Sequence, residues 1–126
     1  MNLFSSDVDR LGMLSSQAFR AVRLVVDTGM HVFGWQRQQA IDYMLAHTTD
    51  TPDDVASEID RYIVWPGQAT AYMLGMLEIQ RLRAEGQQKL GPSFDIKAFH
   101  DRVLEDGAVP LGYLTEKIRS WIAASS

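Results

Sequence analysis

Apolar residues recur at intervals of three and four along almost the whole chain, and this spacing constrains the fold more than any other feature. Residues at such intervals lie on one face of an α-helix, whereas a half-buried strand requires alternation with period two. No segment alternates for long enough to form a strand. With 126 residues, the chain is long enough to bury one core without disulfides. The sequence therefore predicts an all-α fold, with about six helices in a single irregular domain over residues 1–126.

Glycines, prolines and capping residues place the ends of these helices. The clearest start is Thr51-Pro52-Asp53-Asp54, a cap residue followed by a proline and two acids at the positive helix end. Gly91-Pro92 ends a long central helix, and Gly107 ends the one after it. The first predicted helix is capped by Ser5 or Ser6 and ends between Gly29 and Gly34. The other predicted helices cover about residues 37–47, 52–65, 66–90, 95–106 and 110 onwards.

Two of these helices carry a specific prediction about burial. On the first, an apolar row at helical spacing is expected to face the core: Val8, Leu11, Leu14, Ala18, Ala21, Val22 and Val25. The long helix at about 66–90 is apolar around most of its first half, which predicts an interior position. Its second half is charged and is expected to emerge into solvent.

The connection between the third and fourth helices is the most unusual stretch of the sequence. Trp65 precedes Pro66 and is biased out of the helical region, so one helix must end there. Pro66 can occupy the first position of the next helix, where its missing N–H costs nothing. An Arg, two Tyr, a Trp and a Gln surround this point within residues 61–72. Such a concentration predicts part of a site, or a tightly packed elbow beside one.

A polar row on the first helix is the second candidate feature. Gln17, Arg20, Asp27 and His31 fall within a narrow arc of the helix, and Arg23 lies near its edge, where it is able to pair with Asp27. The alternative interpretation is a solvated face with an ordinary ion pair.

Several classes of function are disfavoured by what the sequence lacks. There are no cysteines, and the three histidines do not form a spacing typical of a metal-ligand pair. The serines lack a nucleophile-elbow motif, and there is no glycine-rich phosphate loop.

The net charge of −4 comes with dispersed basic residues, which argues against nucleic-acid binding. Without a leader or an apolar run of roughly 20 residues, the chain as it stands is expected to be cytoplasmic and not membrane-bound.

Five stretches of the sequence together resemble the C-terminal part of the bacterial DUF885 family. They are residues 20–31 with Gly34-Trp35, residues 39–44, residues 60–72, residues 94–101 and residues 107–111. The resemblance extends from about Asp9 to about Lys117. In the first helix this chain has Gln17 where a Glu is expected in the family, and in the long helix it has Met73 where Lys is common.

The resemblance implies a relation to zinc metallopeptidases of the gluzincin kind. Members are longer, and their zinc motif, of the form HE-x-x-PGHH, and an EGWA segment lie upstream of the matched region. This chain contains neither, so it is expected to correspond to the closing part of the catalytic domain. Zinc is implied only for full-length relatives, some of them exported. No cofactor and no hydrolytic activity are expected for the chain alone.

By analogy with zinc peptidases, side chains beyond the metal helices hold the substrate. The resemblance then implies two sets of residues in this chain. The candidate substrate-facing residues are His31, Arg61, Tyr62, Gln68 and Tyr72. The candidate supporting residues are Gln17, Arg20, Arg23 and Asp27.

Two other functions remain open at the level of sequence. The chain could be a helical interaction module that forms homo-oligomers or pairs with a separately encoded zinc-binding part, because a piece of a larger helical domain leaves apolar surface uncovered. It could also be a small-molecule-binding bundle with its cleft at the Trp65-Pro66 elbow.

Overall fold

The computed structural model describes residues 4–125, and within them six α-helices follow one another without a β-strand. The all-α prediction is confirmed. The chain divides after Leu74 into two compact units. The helices are α1 Asp7–Val32, α2 Arg37–His47, α3 Pro52–Val64, α4 Ala71–Leu90, α5 Ile96–Leu104 and α6 Leu111–Ala124, with short 3-10 turns at Gln68–Thr70 and Gly91–Ser93. No helix of the described chain is both long and apolar enough to span a membrane.

Polar caps fix three of the helix starts, and the one at Thr51 confirms the start predicted from the sequence. The Ser6 hydroxyl accepts the Asp9 N–H at the start of α1, and the Thr51 hydroxyl accepts the Asp54 N–H at the start of α3. The Asp95 carboxylate accepts the Lys97 N–H at 2.8 Å and opens α5. Each cap satisfies a backbone donor that has no partner within the helix.

The core of the first unit lies between α1, α2 and α3. Its fully buried side chains include Val26, Met44, Val55, Ile59 and Tyr62. Burying one such aliphatic side chain contributes about 1.5–3 kcal/mol. This core holds the middle of α1 against α3 and against the connection that follows it.

The prediction for the inward face of α1 is wrong. Val8, Leu11 and Leu14 are 77%, 65% and 52% exposed, and Ala18, Ala21 and Val25 are exposed as well. Of the predicted row, only Val22 is buried. The core instead receives a neighbouring face that carries Arg23 and Asp27 beside Val26. Because Arg23 and Asp27 lie on the buried face, that face is less apolar than the exposed row. The hydropathy pattern therefore predicted burial of the wrong face.

The predictions for α4 also need correction. Pro66 does not open this helix: Gly67 takes a left-handed backbone with φ of 81°, and α4 begins at Ala71. Its first half is not interior, because Tyr72, Leu74 and Leu77 are between 46% and 58% exposed while Met73 is buried. The second half does carry exposed charges, but its buried residues recur every fourth position: Leu82, Gly86 and Leu90.

The second unit has its own core, built from the end of α4 with α5 and α6. Leu82, Phe99, Ile118 and Ile122 are almost completely buried there. Gly86 is needed on α4 because a Cβ at that position would lie 2.9 Å from the Phe94 ring.

Candidate functional site

The connection between α3 and α4 lies against α1 and is fixed there by buried polar contacts. Both carboxylate oxygens of Asp27 accept the backbone N–H of Gly67, each at 3.1 Å. Asp27 is only 3% exposed, so this bond joins the interior of α1 to the turn after Trp65. The ion pair between Arg23 and Asp27 that their spacing allows is not formed in the described structure.

Gln68 links two arginines from different helices. Its side-chain oxygen accepts a hydrogen bond from Arg61 at 2.8 Å and one from Arg23 at 3.3 Å. Arg61 belongs to α3 and Arg23 to α1, so Gln68 joins these two helices through one atom. Since this oxygen carries no charge, it neutralises neither guanidinium.

Glu58 supplies the negative charge of the network. It accepts two hydrogen bonds from Arg61, at 3.1 and 2.7 Å, and one from the Tyr62 hydroxyl at 2.6 Å. The bonds from Arg61 lower the pKa of Glu58 and raise the pKa of Arg61. Burial, followed by the bond to Glu58, raises the pKa of the Tyr62 phenol. Tyr62 therefore remains a neutral donor, and Glu58 remains a charged acceptor.

Arg23 is the most unusual member of this network. It is 7% exposed, and its Nε has no hydrogen-bond partner. Its guanidinium carbon lies 5.5 to 5.7 Å from the ring centres of Phe19, Tyr62 and Tyr72. Aromatic faces attract a cation but replace only part of its lost hydration.

Arg20 and Tyr72 form the solvent edge beside Arg23. The Arg20 guanidinium lies 5.2 Å from the centre of the Tyr72 ring and donates to the carbonyl oxygen of Ser16 at 3.0 Å. Tyr72 is 58% exposed. A shallow depression of about 400 Å³ opens next to Arg20, lined by Gly12, Ser15, Ser16, Phe19, Arg20 and Asp50.

The structure brings together most of the predicted site residues, but in different surroundings. Gln68, Tyr72 and His31 are exposed, Arg61 is half-buried, and Tyr62 is almost fully buried at 1%. A ring nitrogen of His31 lies 3.1 Å from the Tyr62 carbonyl oxygen. The remaining predicted member, Gln17, is exposed and outside the described hydrogen-bond network.

Sequence reasoning missed Glu58. Its position three residues before Arg61 and four before Tyr62 places all three side chains on one face of α3. That spacing could have identified it. Over residues 4–125, no group of three or more His, Asp or Glu side chains is placed to hold a metal ion.

An apolar groove lies on the other side of α1, where the helix meets α2. It encloses about 270 Å³ and is lined by Ala18, Ala21, Val22, Val25, Tyr43 and His47. The Tyr43 and His47 rings stack at 4.2 Å between centres and form one wall. This groove continues the exposed apolar row of α1.

The fold and sequence of this chain are similar to those of known proteins. Residues 1–118 match the family model described as bacterial protein of unknown function (DUF885). The chain belongs to this family, which confirms the family resemblance read from the sequence.

A comparison with a solved structure shows how much of a longer relative this chain corresponds to. The chain is similar to a putative lipoprotein from Colwellia psychrerythraea, with 49% sequence identity and a TM-score of 0.88. The match covers 92% of this chain and 20% of the other, so this chain spans about a fifth of the length of that relative. No curated protein matches the chain significantly.

Proposed function

We propose that this chain is a metallopeptidase-related part of a DUF885 protein that forms one wall of a ligand cleft and does not hydrolyse substrate on its own. The observation that carries the proposal is the polar network of Arg23, Gln68, Arg61, Glu58 and Tyr62. Within it Arg23 and Tyr62 are buried, and the other members are half-buried or exposed. Burying charged groups costs free energy that an apolar contact would not. Networks of this kind hold nearby side chains in a fixed geometry, which a binding site needs.

The exposed residues of the junction divide into two roles under this proposal. Tyr72 and Gln68, together with His31, are accessible to a ligand. Arg61, which Glu58 holds, donates to Gln68, and the Tyr62 carbonyl oxygen lies beside a ring nitrogen of His31. Arg20 and Arg23 lie beside the Tyr72 ring, and Asp27 fixes the turn at Gly67. The zinc-binding residues would come from the remaining part of a family-length protein.

Two measurements test this function. The purified chain should contain less than stoichiometric zinc and show no peptidase turnover. Added to a DUF885 peptidase from which the equivalent region has been deleted, it should restore turnover. Tyr72→Phe should lower the restored rate, while Tyr113→Phe, a tyrosine of similar exposure in the second unit, should not. Stoichiometric zinc with turnover in the chain alone, or no restoration, would contradict the proposal.

A second candidate function is favoured by the uncovered face of α1. This helix exposes a continuous apolar row of Val8, Leu11, Leu14, Ala18, Ala21 and Val25 beside the groove at Tyr43. Contiguous exposed apolar surface is typical of an interaction site. Because the solved relative extends far beyond the matched region, we assign the row to the remaining part of a family-length protein.

Paired variants test this docking surface. Leu11→Asp places a charge on the apolar row, whereas Leu104→Asp places one on a leucine of similar exposure outside it, at 71% against 65%. Binding of the remaining family part, measured by calorimetry, should be lost only with Leu11→Asp. If light scattering instead finds a homodimer that Leu11→Asp dissociates, the occupant is a second copy and the assignment fails.

A further inference from the structure

Arg20 and Arg23 differ from most other arginines of the described chain in having no carboxylate partner. Six arginines form ion pairs: Arg10, Arg37, Arg61, Arg81, Arg102 and Arg119. Arg23 is buried and Arg20 is half-buried. A guanidinium out of water has more need of a negative partner than one on the surface. The distribution is therefore the reverse of what stability alone would favour.

The guanidinium groups of Arg20 and Arg23 also both lie near the Tyr72 ring. The guanidinium carbons of Arg20 and Arg23 lie 5.2 and 5.5 Å from the centre of the Tyr72 ring. Side chains three residues apart are neighbours on a helix, so these like charges repel each other, and the repulsion grows where water is partly excluded. A negatively charged group between them would remove the repulsion and satisfy both cations.

The nearby acids of the described chain form no ion pair with Arg20 or Arg23, although the charge of Arg23 adds to the effect of Arg61 in lowering the pKa of Glu58. Asp27 directs both oxygens to the Gly67 N–H, and the oxygens of Glu58 accept from Arg61 and Tyr62. Gln68 contributes only a neutral oxygen to Arg23. At the solvent edge, the Tyr72 hydroxyl makes no hydrogen bond within residues 4–125 and is free to donate one. The depression beside Arg20 leaves a small ligand access to that guanidinium, and Asp50, which also lines the depression, forms no ion pair with Arg20.

We propose that Arg20, Arg23 and Tyr72 form a binding site for a small oxyanion, either a carboxylate or a phosphate group. The guanidinium of Arg20 binds the anion at the surface, Arg23 supplies the buried charge behind it, and the Tyr72 hydroxyl donates the remaining hydrogen bond. Charge-assisted bonds from arginine to carboxylate or phosphate are among the strongest hydrogen bonds in proteins. The site does not depend on the metallopeptidase relation, because it uses no metal and its test requires no turnover.

The test is thermal unfolding of the full chain in the presence of sodium phosphate or sodium glutarate, with ionic strength kept constant by sodium chloride. A ligand that binds only the folded state raises the unfolding temperature in a saturable way. Arg20→Gln should weaken the affinity by at least about tenfold, since it removes a charged donor. Arg83→Gln removes an exposed arginine of α4 and should leave the affinity unchanged.

Tyr72→Phe serves as a second variant that keeps the ring beneath the two arginines. It should weaken anion binding severalfold because it removes one neutral donor. Tyr113→Phe is its control. A response to phosphate alone identifies a phosphate-bearing ligand, and a response to glutarate alone identifies a carboxylate. No saturable increase beyond sodium chloride, or an equal increase in Arg20→Gln, overturns the proposal.

Discussion

At Gly29 the backbone of α1 passes so close to the Trp35 ring that no side chain fits between them. A Cβ at this position would lie 2.5 and 2.6 Å from two ring carbons of Trp35. The backbone N–H of Trp35 also donates to the Gly29 carbonyl oxygen at 2.9 Å, which fixes the Trp35 backbone beside α1. Gly29→Ala should therefore destabilise the protein by about 1–3 kcal/mol, because overpacking outweighs the better helix propensity of alanine. Urea denaturation followed by circular dichroism measures this change.

The same helix offers a matched control for that prediction. Gly12 also lies within α1, but a Cβ there would meet nothing within 4 Å. Gly12→Ala should stabilise the protein by up to about 1 kcal/mol, since only the backbone entropy of glycine is removed. If Gly29→Ala is stabilising by the same amount, the close contact with Trp35 does not constrain this position.

The start of α4 depends on Asp27, which lies 40 residues before the Gly67 that it binds. Its carboxylate holds the Gly67 N–H, and the left-handed backbone of Gly67 separates Pro66 from the helix. Asp27→Ala should destabilise the protein by about 1–3 kcal/mol, because it leaves a partly buried N–H without an acceptor. Asp27→Asn keeps one oxygen that can accept and should cost less. Equal losses in the two variants, measured by urea denaturation, would contradict this role for the oxygen.

How well each helix could be predicted depended on where its ends are determined. Helix α2 was predicted with both ends as observed, at Arg37–His47, and the start of α3 followed from local cap chemistry at Thr51. The start of α4 could not be predicted, because it depends on the distant contact with Asp27. The buried face of α1 was missed for a related reason, since Arg23 becomes buried only among rings from α3 and α4.

Prediction of the candidate site was limited in the same way, because its surroundings depend on contacts between distant residues. The residues near the junction were identified by their type, and Arg61, Gln68 and Tyr72 do lie together. The helical spacing of Glu58 to Arg61 and Tyr62 makes their contact predictable, but the burial of Tyr62 beneath Arg23 depends on the packing of α1 against α3. The consequence for function is that Tyr62 is an interior residue, and Arg20 with Tyr72 forms the accessible edge.

For the whole molecule, paired carboxylates contribute to a loss of stability in acid, and Glu85 and Glu78 show the largest lowering of pKa. Glu85 accepts hydrogen bonds from Arg81, Lys89 and Arg119, and Glu78 accepts from Arg81 and Thr115. The bond from Lys89 contributes most to lowering the pKa of Glu85 from 4.5 to about 2. The bonds from Arg81 contribute most to lowering the pKa of Glu78 from 4.5 to about 2. Arg61 lowers the pKa of Glu58 in the first unit as well.

A lowered folded-state pKa means that the unfolded chain binds protons more readily than the folded chain. The contribution of Glu85 to stability is therefore complete above its unfolded pKa near 4.5 and is lost as the pH falls towards 2. Wild-type protein should lose stability progressively across this interval. Glu85→Gln should be less stable than wild type at pH 7, and the difference should shrink towards pH 2.

Chemical denaturation at several pH values between 7 and 2 tests this expectation. Glu116→Gln is the control, because Glu116 is an exposed residue of α6 without an ion pair in the described part of the chain. Its free energy of unfolding should equal that of the wild type at every pH. A constant difference between Glu85→Gln and wild type from pH 7 to pH 2 would mean that the three cations around Glu85 do not stabilise its ionised form, and that the loss at pH 7 has a cause other than charge.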